Sequence, residues 1–137
     1  MQPDRAIGVD LGGTKILAGL VRRDGTVDRS VELPTPLESE AAVLAAIDGL
    51  VEDLAGDGAA ALGLGVPMNL DWRTGTGWRA TNLPLHEVDF LAWGRRHGLP
   101  AGVENDGNAA ALAEWRLGAA RGARDVLALV LGTGVGG

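Results

Sequence analysis

The chain has 137 residues, 46% hydrophobic and 22% charged, with a formal net charge of −6. That length suffices for one domain with a real core. The acidic balance argues against a dedicated nucleic-acid surface, which needs clustered Lys and Arg. The absence of cysteine rules out disulfides and thiolate metal sites within these residues. No apolar run reaches the ~18 residues of a membrane span, and the first residues lack the basic-then-apolar pattern of a secretory leader. A cytoplasmic protein without nucleic-acid or membrane partners is expected.

From Arg5 to Leu11 the residues Ile7, Val9 and Leu11 alternate with smaller or polar ones, the period of a strand. After Gly12-Gly13-Thr14-Lys15, Ile16 to Val21 is aliphatic again, and Asp24-Gly25 gives a hairpin signal before Val27 to Leu33. These stretches predict a three-stranded antiparallel meander. Thr35-Pro36-Leu37-Glu38 has capping-box spacing with proline at the first helical position. Val43, Ile47, Leu50, Val51 and Leu54 continue at helical spacing until Gly56.

Ala59 to Val66, closed by Pro67, has the character of a strand buried on both faces. Residues 68–87 carry Gly75, Gly77 and Pro84 and read as an irregular excursion. Val88 to His97 predicts a short helix stopped by Gly98 and Pro100, Ala101 to Glu104 a strand, and Asn108 to Leu117 an alanine-rich helix. Val126 to Leu131 predicts a last strand, followed by Gly132-Thr133-Gly134-Val135-Gly136-Gly137. The order implies an α/β layer with a mixed sheet flanked by helices, as in a ribonuclease-H-like lobe. The last strand finds no partner downstream, so the chain reads as a fragment of a longer protein.

Three phosphate loops compete for residues 8–15. The dinucleotide fingerprint G-x-G-x-x-G fails on spacing, and the Walker loop fails because Thr14 intervenes before Lys15. Both also require a helix where a strand is expected. A β-hairpin whose tight turn aims backbone N–H groups at a polyphosphate fits better. Gly12 and Gly13 permit close approach, Thr14 offers a hydroxyl, and Lys15 a point charge. Asp10, at the strand's end, suits a water-mediated Mg²⁺, which keeps most of its hydration shell. The plain alternative is an ordinary Gly-Gly turn with a solvated lysine. Against it stands Lys15 being the only lysine, beside 11 arginines. The glycines around Thr133 repeat the design, and two such loops can clasp a nucleotide from both sides.

Glu104-Asn105-Asp106-Gly107-Asn108 lies where a strand gives way to a helix. Asn105 or Asp106 can cap that helix. A carboxylate at a strand's carboxyl end also faces the crevice where α/β folds bind ligands. Asp106 there could take a proton from a hydroxyl attacking a γ-phosphoryl group, in chemistry that otherwise needs mainly positioning and charge stabilisation.

Together V-D-L-G-G-T-K at 9–15, G-L-G-V-P at 63–67, N-L-P at 82–84, E-N-D-G-N with A-A-L-A-E at 104–114 and the terminal G-T-G-x-G-G resemble the ROK family of sugar kinases, its glucokinase-like members especially. The resemblance implies the two-lobed fold of the hexokinase–actin–Hsp70 superfamily. It implies ATP- and Mg²⁺-dependent phosphorylation of a hexose 6-hydroxyl, with glucose favoured. By that analogy Asp106 is the base, and Asn105 and Asp106 hold sugar hydroxyls. Asp10, Gly12, Gly13, Thr14 and Lys15 form the first phosphate loop, with Asp10 holding Mg²⁺ through water. Gly132, Thr133, Gly134 and Gly136 form the second, and Asn69, Thr81 and Asn82 face the sugar. Residues 1–122 would be the N-terminal lobe and 123–137 the first strand and phosphate loop of the next. The family's zinc site, Glu-x-x-His clamp, adenine pocket and closing helix would lie beyond Gly137, and the full-length parent would be a homo-oligomer.

Two departures stand out. Met68 replaces the family's usual glycine, which would reshape the sugar pocket, and Gly107 replaces the commoner alanine. His86 and His97 read as surface residues, and Trp72, Trp78, Trp93 and Trp115 as packing groups. Rival readings are a non-enzymatic, sugar-responsive ROK regulator and an actin- or Hsp70-type ATPase. The first would carry a helix-turn-helix ahead of a strand that here begins by Arg5. The second leaves Asn105-Asp106 and N-L-P unexplained.

Overall fold

The computed structural model describes residues 4–132 and 135–136. The meander forms as its alternation requires. β1 (Arg5–Leu11) pairs antiparallel with β2 (Lys15–Arg22), and β2 with β3 (Val27–Pro34). Ile7, Val9, Leu11, Ile16, Ala18 and Leu20 are buried on one face. Against that face lies α1 (Glu40–Ala55), presenting Val43, Ile47, Leu50, Val51 and Leu54. Its N-cap is Ser39, whose Oγ accepts the Ala42 amide at 3.1 Å. The helix therefore starts after the expected capping box. Pro36 leaves Thr35 in the extended backbone, and Thr35 is used elsewhere.

β4 (Leu62–Val66) runs parallel to β1, and β8 (Ala101–Asn105) parallel to β4, giving the order β3-β2-β1-β4-β8. This mixed five-stranded sheet is the ribonuclease-H-like layer. Between β4 and β8, the expected excursion is a small antiparallel sheet. It comprises β5 (Met68–Asp71), β6 (Thr76–Ala80) and β7 (His86–Asp89), in that order. Glycine-rich spacing concealed it, because Gly75 and Gly77 serve its turn and its packing. A Cβ at Gly77 would stand 2.8 Å from the Phe90 ring.

Val88 belongs to β7, so α2 is shorter than predicted, Phe90–Arg95, with Asp89 as N-cap. It packs on the core face, where a Cβ at Gly94 would lie 2.5 Å from that of Ala101. His97 is not a surface residue. Its side chain is 9% exposed and its Nε2 lies 2.8 Å from Asp48 of α1. Of the four tryptophans only Trp93 is buried, while Trp72 is 74% exposed.

The opposite face of the sheet is open, so β4 is not covered on both sides. Ser30, Gly19, Gly8, Gly63 and Gly102 are successive partners across all five strands. This stripe of four glycines and one serine floors an apolar groove of about 850 Å³. α3 (Asp106–Leu117) borders the groove and buries none of its residues fully. Beyond it only Val130–Leu131 of the last predicted strand is regular (β9). It has a partner after all, β10 (Val135–Gly136), in an antiparallel pair separate from the main sheet.

Candidate active site

The loop between β1 and β2 is a tight turn closed by the Gly12 amide donating to the Lys15 carbonyl at 2.9 Å. A Cβ at Gly12 would stand 2.7 Å from that oxygen, so only glycine fits. Thr35 backs the turn. Its amide donates to the Thr14 carbonyl at 3.0 Å and its Oγ1 to the Gly12 carbonyl at 2.8 Å. Lys15 is turned along the sheet, its Nζ 2.9 Å from Glu32, and this hydrogen bond with the Glu32 charge raises its pKa. Both side chains are exposed, so the pair contributes little to stability.

β1, β4 and β8 are parallel, so their carboxyl ends share one edge, the place where such sheets bind ligands. Asp10 pairs in register with Gly65, and Gly65 with Glu104. A Cβ at Gly65 would lie 3.6 Å from the Asp106 Cα and 3.8 Å from the Ala109 Cβ. The first turn of α3 therefore rests on β4 at Gly65, and Asp106 lines the same groove as Asp10. Asp10 keeps contact with solvent. Desolvation by the surrounding sheet still raises its pKa, the charge of Asp106 raises it further, and Lys15 opposes both.

Of the two capping candidates, the structure selects Asn105. Its Oδ1 accepts the Asn108 amide at 3.2 Å, and its Nδ2 donates to the Met68 carbonyl at 3.5 Å. Asp106 is the first helical residue, with Oδ1 accepting only the adjacent Gly107 amide, at 2.8 Å. Glu104, which sequence reading passed over, fastens the corner. Its Oε1 accepts the Asn105 amide at 2.7 Å and the Asn108 side chain at 3.1 Å. A carboxylate one residue before Asn-Asp at a strand end was the available signal.

Asn69 is exposed on β5, and Thr81 and Asn82 are exposed between β6 and β7. Asn82 meets the hairpin between β1 and β2, where a Cβ at Gly13 would touch its Cβ at 3.4 Å. Met68 does not project into the crevice. Its side chain is buried, with Sδ 3.0 Å from where a Gly77 Cβ would sit. Gly132 is exposed after β9, and Gly136 pairs with Val130. Thr133, Gly134 and Gly137 lie outside the described residues. A Cβ at Gly107 would be 3.7 Å from Val130, so the second hairpin begins beside the first turn of α3.

A mixed sheet in this order, with a Gly-Gly hairpin and an Asn-Asp corner at one edge, defines the actin- and hexokinase-like fold class. The family model described as "ROK family" matches residues 6–137, and the chain belongs to the ROK family. It is 39% identical over 136 residues to a glucokinase of Streptomyces coelicolor, covering 96% of this chain and 42% of that protein. It is 38% identical over 139 residues to a glucokinase of Thermotoga maritima, covering 97% and 43%. The ROK family glucokinase from Streptomyces griseus, solved in complex with glucose and AMPPNP, superposes with a TM-score of 0.89 at 37% identity. That match covers 96% of this chain and 43% of the other. The chain thus spans about two fifths of the length of the relatives it matches.

Proposed function

We propose that these residues form part of an ATP-dependent hexose kinase. Residues 1–122 would be its N-terminal lobe and 123–137 the opening strand and phosphate hairpin of the next. Glucose is the favoured substrate, since the glucokinases above match at 38–39% identity, against 30% for a fructokinase and 31% for an N-acetyl-D-glucosamine kinase over a similar share of the chain. The observation that carries the reading is the meeting of Asp10, Asp106 and the glycine hairpin at the carboxyl edge of β1, β4 and β8.

In this reading Asp106 accepts the proton of the sugar 6-hydroxyl as its oxygen attacks the γ-phosphorus of ATP. The new O–P bond forms, the bond to the β-phosphate oxygen breaks, and ADP leaves. Asn105 orients the sugar, and the amides of the 12–15 turn face the phosphates. Mg²⁺, when bound, neutralises charge developing on the phosphates. The residues fit it: Asp10 sits beside a second carboxylate that raises its pKa, a place where added positive charge is favourable.

Asp106→Asn in the complete kinase tests the assignment. Because Asn105 is the cap, the substitution leaves the helix start intact, and Asn can still accept the Gly107 amide. The kcat should fall about 10²- to 10⁴-fold, with a much smaller change in KM for the sugar. A folded variant whose kcat stays within a few-fold of wild type would falsify the catalytic role.

A further inference from the structure

Thr35 is the one buried polar side chain among the described residues, at 8% exposure. It sits one residue past β3, yet both of its hydrogen bonds run to the turn between β1 and β2, more than 20 positions earlier. Pro36 restricts Thr35 to extended backbone, which limits the directions its amide and hydroxyl can take. The effect on the turn is specific. The carbonyls of Gly12 and Thr14, the groups that would repel a phosphate oxygen, are drawn back toward Thr35. Among the hydrogen bonds of the described residues, none is donated by the amides of Gly13 or Thr14.

We infer that Thr35 is a positioning residue for nucleotide binding: its buried hydroxyl and amide hold the carbonyls of the 12–15 turn inward so that the turn's amides face the phosphates. The inference rests on the phosphate-loop reading above. It assigns a polar role to a residue whose sequence context signals only a helix cap. Thr35 touches no substrate, and its influence passes through the Gly12 carbonyl.

The test compares Thr35→Val, which keeps the shape and removes the hydroxyl, with Thr35→Ser, which keeps the hydroxyl and loses the methyl. Lys15→Ala serves as an independent probe of the loop. In the complete kinase, Thr35→Val should raise KM for ATP about 5- to 30-fold, the scale of one lost buried hydrogen bond. KM for the sugar should change less than two-fold. Thr35→Ser should keep KM for ATP near wild type even if its melting temperature falls. In the complete kinase, amide exchange at Gly12, whose N–H closes the turn on the Lys15 carbonyl, should quicken in the Val variant and recover in the Ser variant. If Lys15→Ala raises KM for ATP while Thr35→Val does not, the positioning role is overturned and the phosphate loop stands. If neither moves it, the loop reading fails and takes the inference with it. Equal losses in Val and Ser variants would make Thr35 a packing residue and overturn the inference too. Should the Val variant not fold, Thr35→Ala carries the same expectation.

Discussion

Asp10 shows what placing charge at a shared edge costs. The ordinary pKa of such a carboxyl is 3.8, and in the folded chain it is raised, first by desolvation and then by Asp106. A raised carboxyl binds its proton more tightly folded than unfolded. Its contribution to stability is therefore fully present below the unfolded value and is lost as pH rises through the folded one. At pH 7 Asp10 works against folding. Asp10→Asn should raise the melting temperature at neutral pH, and the advantage should shrink toward zero as pH falls below about 4, where wild-type Asp10 is itself protonated. Because Asp10 retains solvent contact, the gain should be small. Melting curves across pH test this, and an Asn variant less stable than wild type at pH 7 would contradict it. Enzymes commonly accept such local costs where charge must be held for function.

At the scale of elements, the helix starts show how sequence spacing misleads and how the structure corrects it. Thr35 and Glu38 satisfy the capping-box pattern, but Ser39 caps α1 and Thr35 is occupied by the turn at 12–15. Ser39→Ala should destabilise the chain by about 1 kcal/mol, whereas Glu38→Ala should be nearly silent. Thermal unfolding of the two variants separates them, and reversed sensitivities would restore the original box. The same logic governs α3. Asn105 caps it and Glu104 binds the Asn105 amide, which frees Asp106 from a structural duty. Gly65 lies beneath the same corner, where a Cβ would come within 3.6 Å of the Asp106 Cα.

On the scale of the whole molecule, one face of the sheet is finished and the other is not. α1 and α2 seal the core face, while the groove over the glycine stripe stays open. Leu112, Trp115 and Leu117 of α3 are each more than 40% exposed, and Leu127, Leu129 and Leu131 more than 70%. Exposed apolar side chains in this number promote association, and an edge of β9 adds unpaired backbone. The purified 137-residue chain should therefore self-associate, its mass by light scattering rising with concentration. A monodisperse monomer at high concentration would refute this. Among the described residues no helix is long and apolar enough to cross a membrane.

Much of this protein was legible in one dimension because its signals are local. The alternation Ile7-Val9-Leu11, the Asp24-Gly25 turn and the helical spacing from Val43 to Leu54 each reflect contacts made within an element or between adjacent ones. They were enough for the three-stranded meander and the ribonuclease-H-like layer, though not for the parallel pairings of β1 with β4 and β4 with β8. The glycine hairpin and the Asn-Asp corner were legible for the same reason, since each is a short run with its own stereochemistry. What needed tertiary structure was every pairing across sequence distance. The β5–β6–β7 sheet hid behind glycines whose reason is the Phe90 ring and the Leu91 side chain. Met68 looked like a pocket residue until the bulge of β5 turned it into the core. His97 looked exposed until α1 brought Asp48 to it. Thr35 read as a cap because spacing along the chain carries no information about a loop more than 20 residues away. Hydrogen-bond partners and burial are properties of space, and only the folded sheet brings Asp10, Asp106 and the Gly12 turn to one edge.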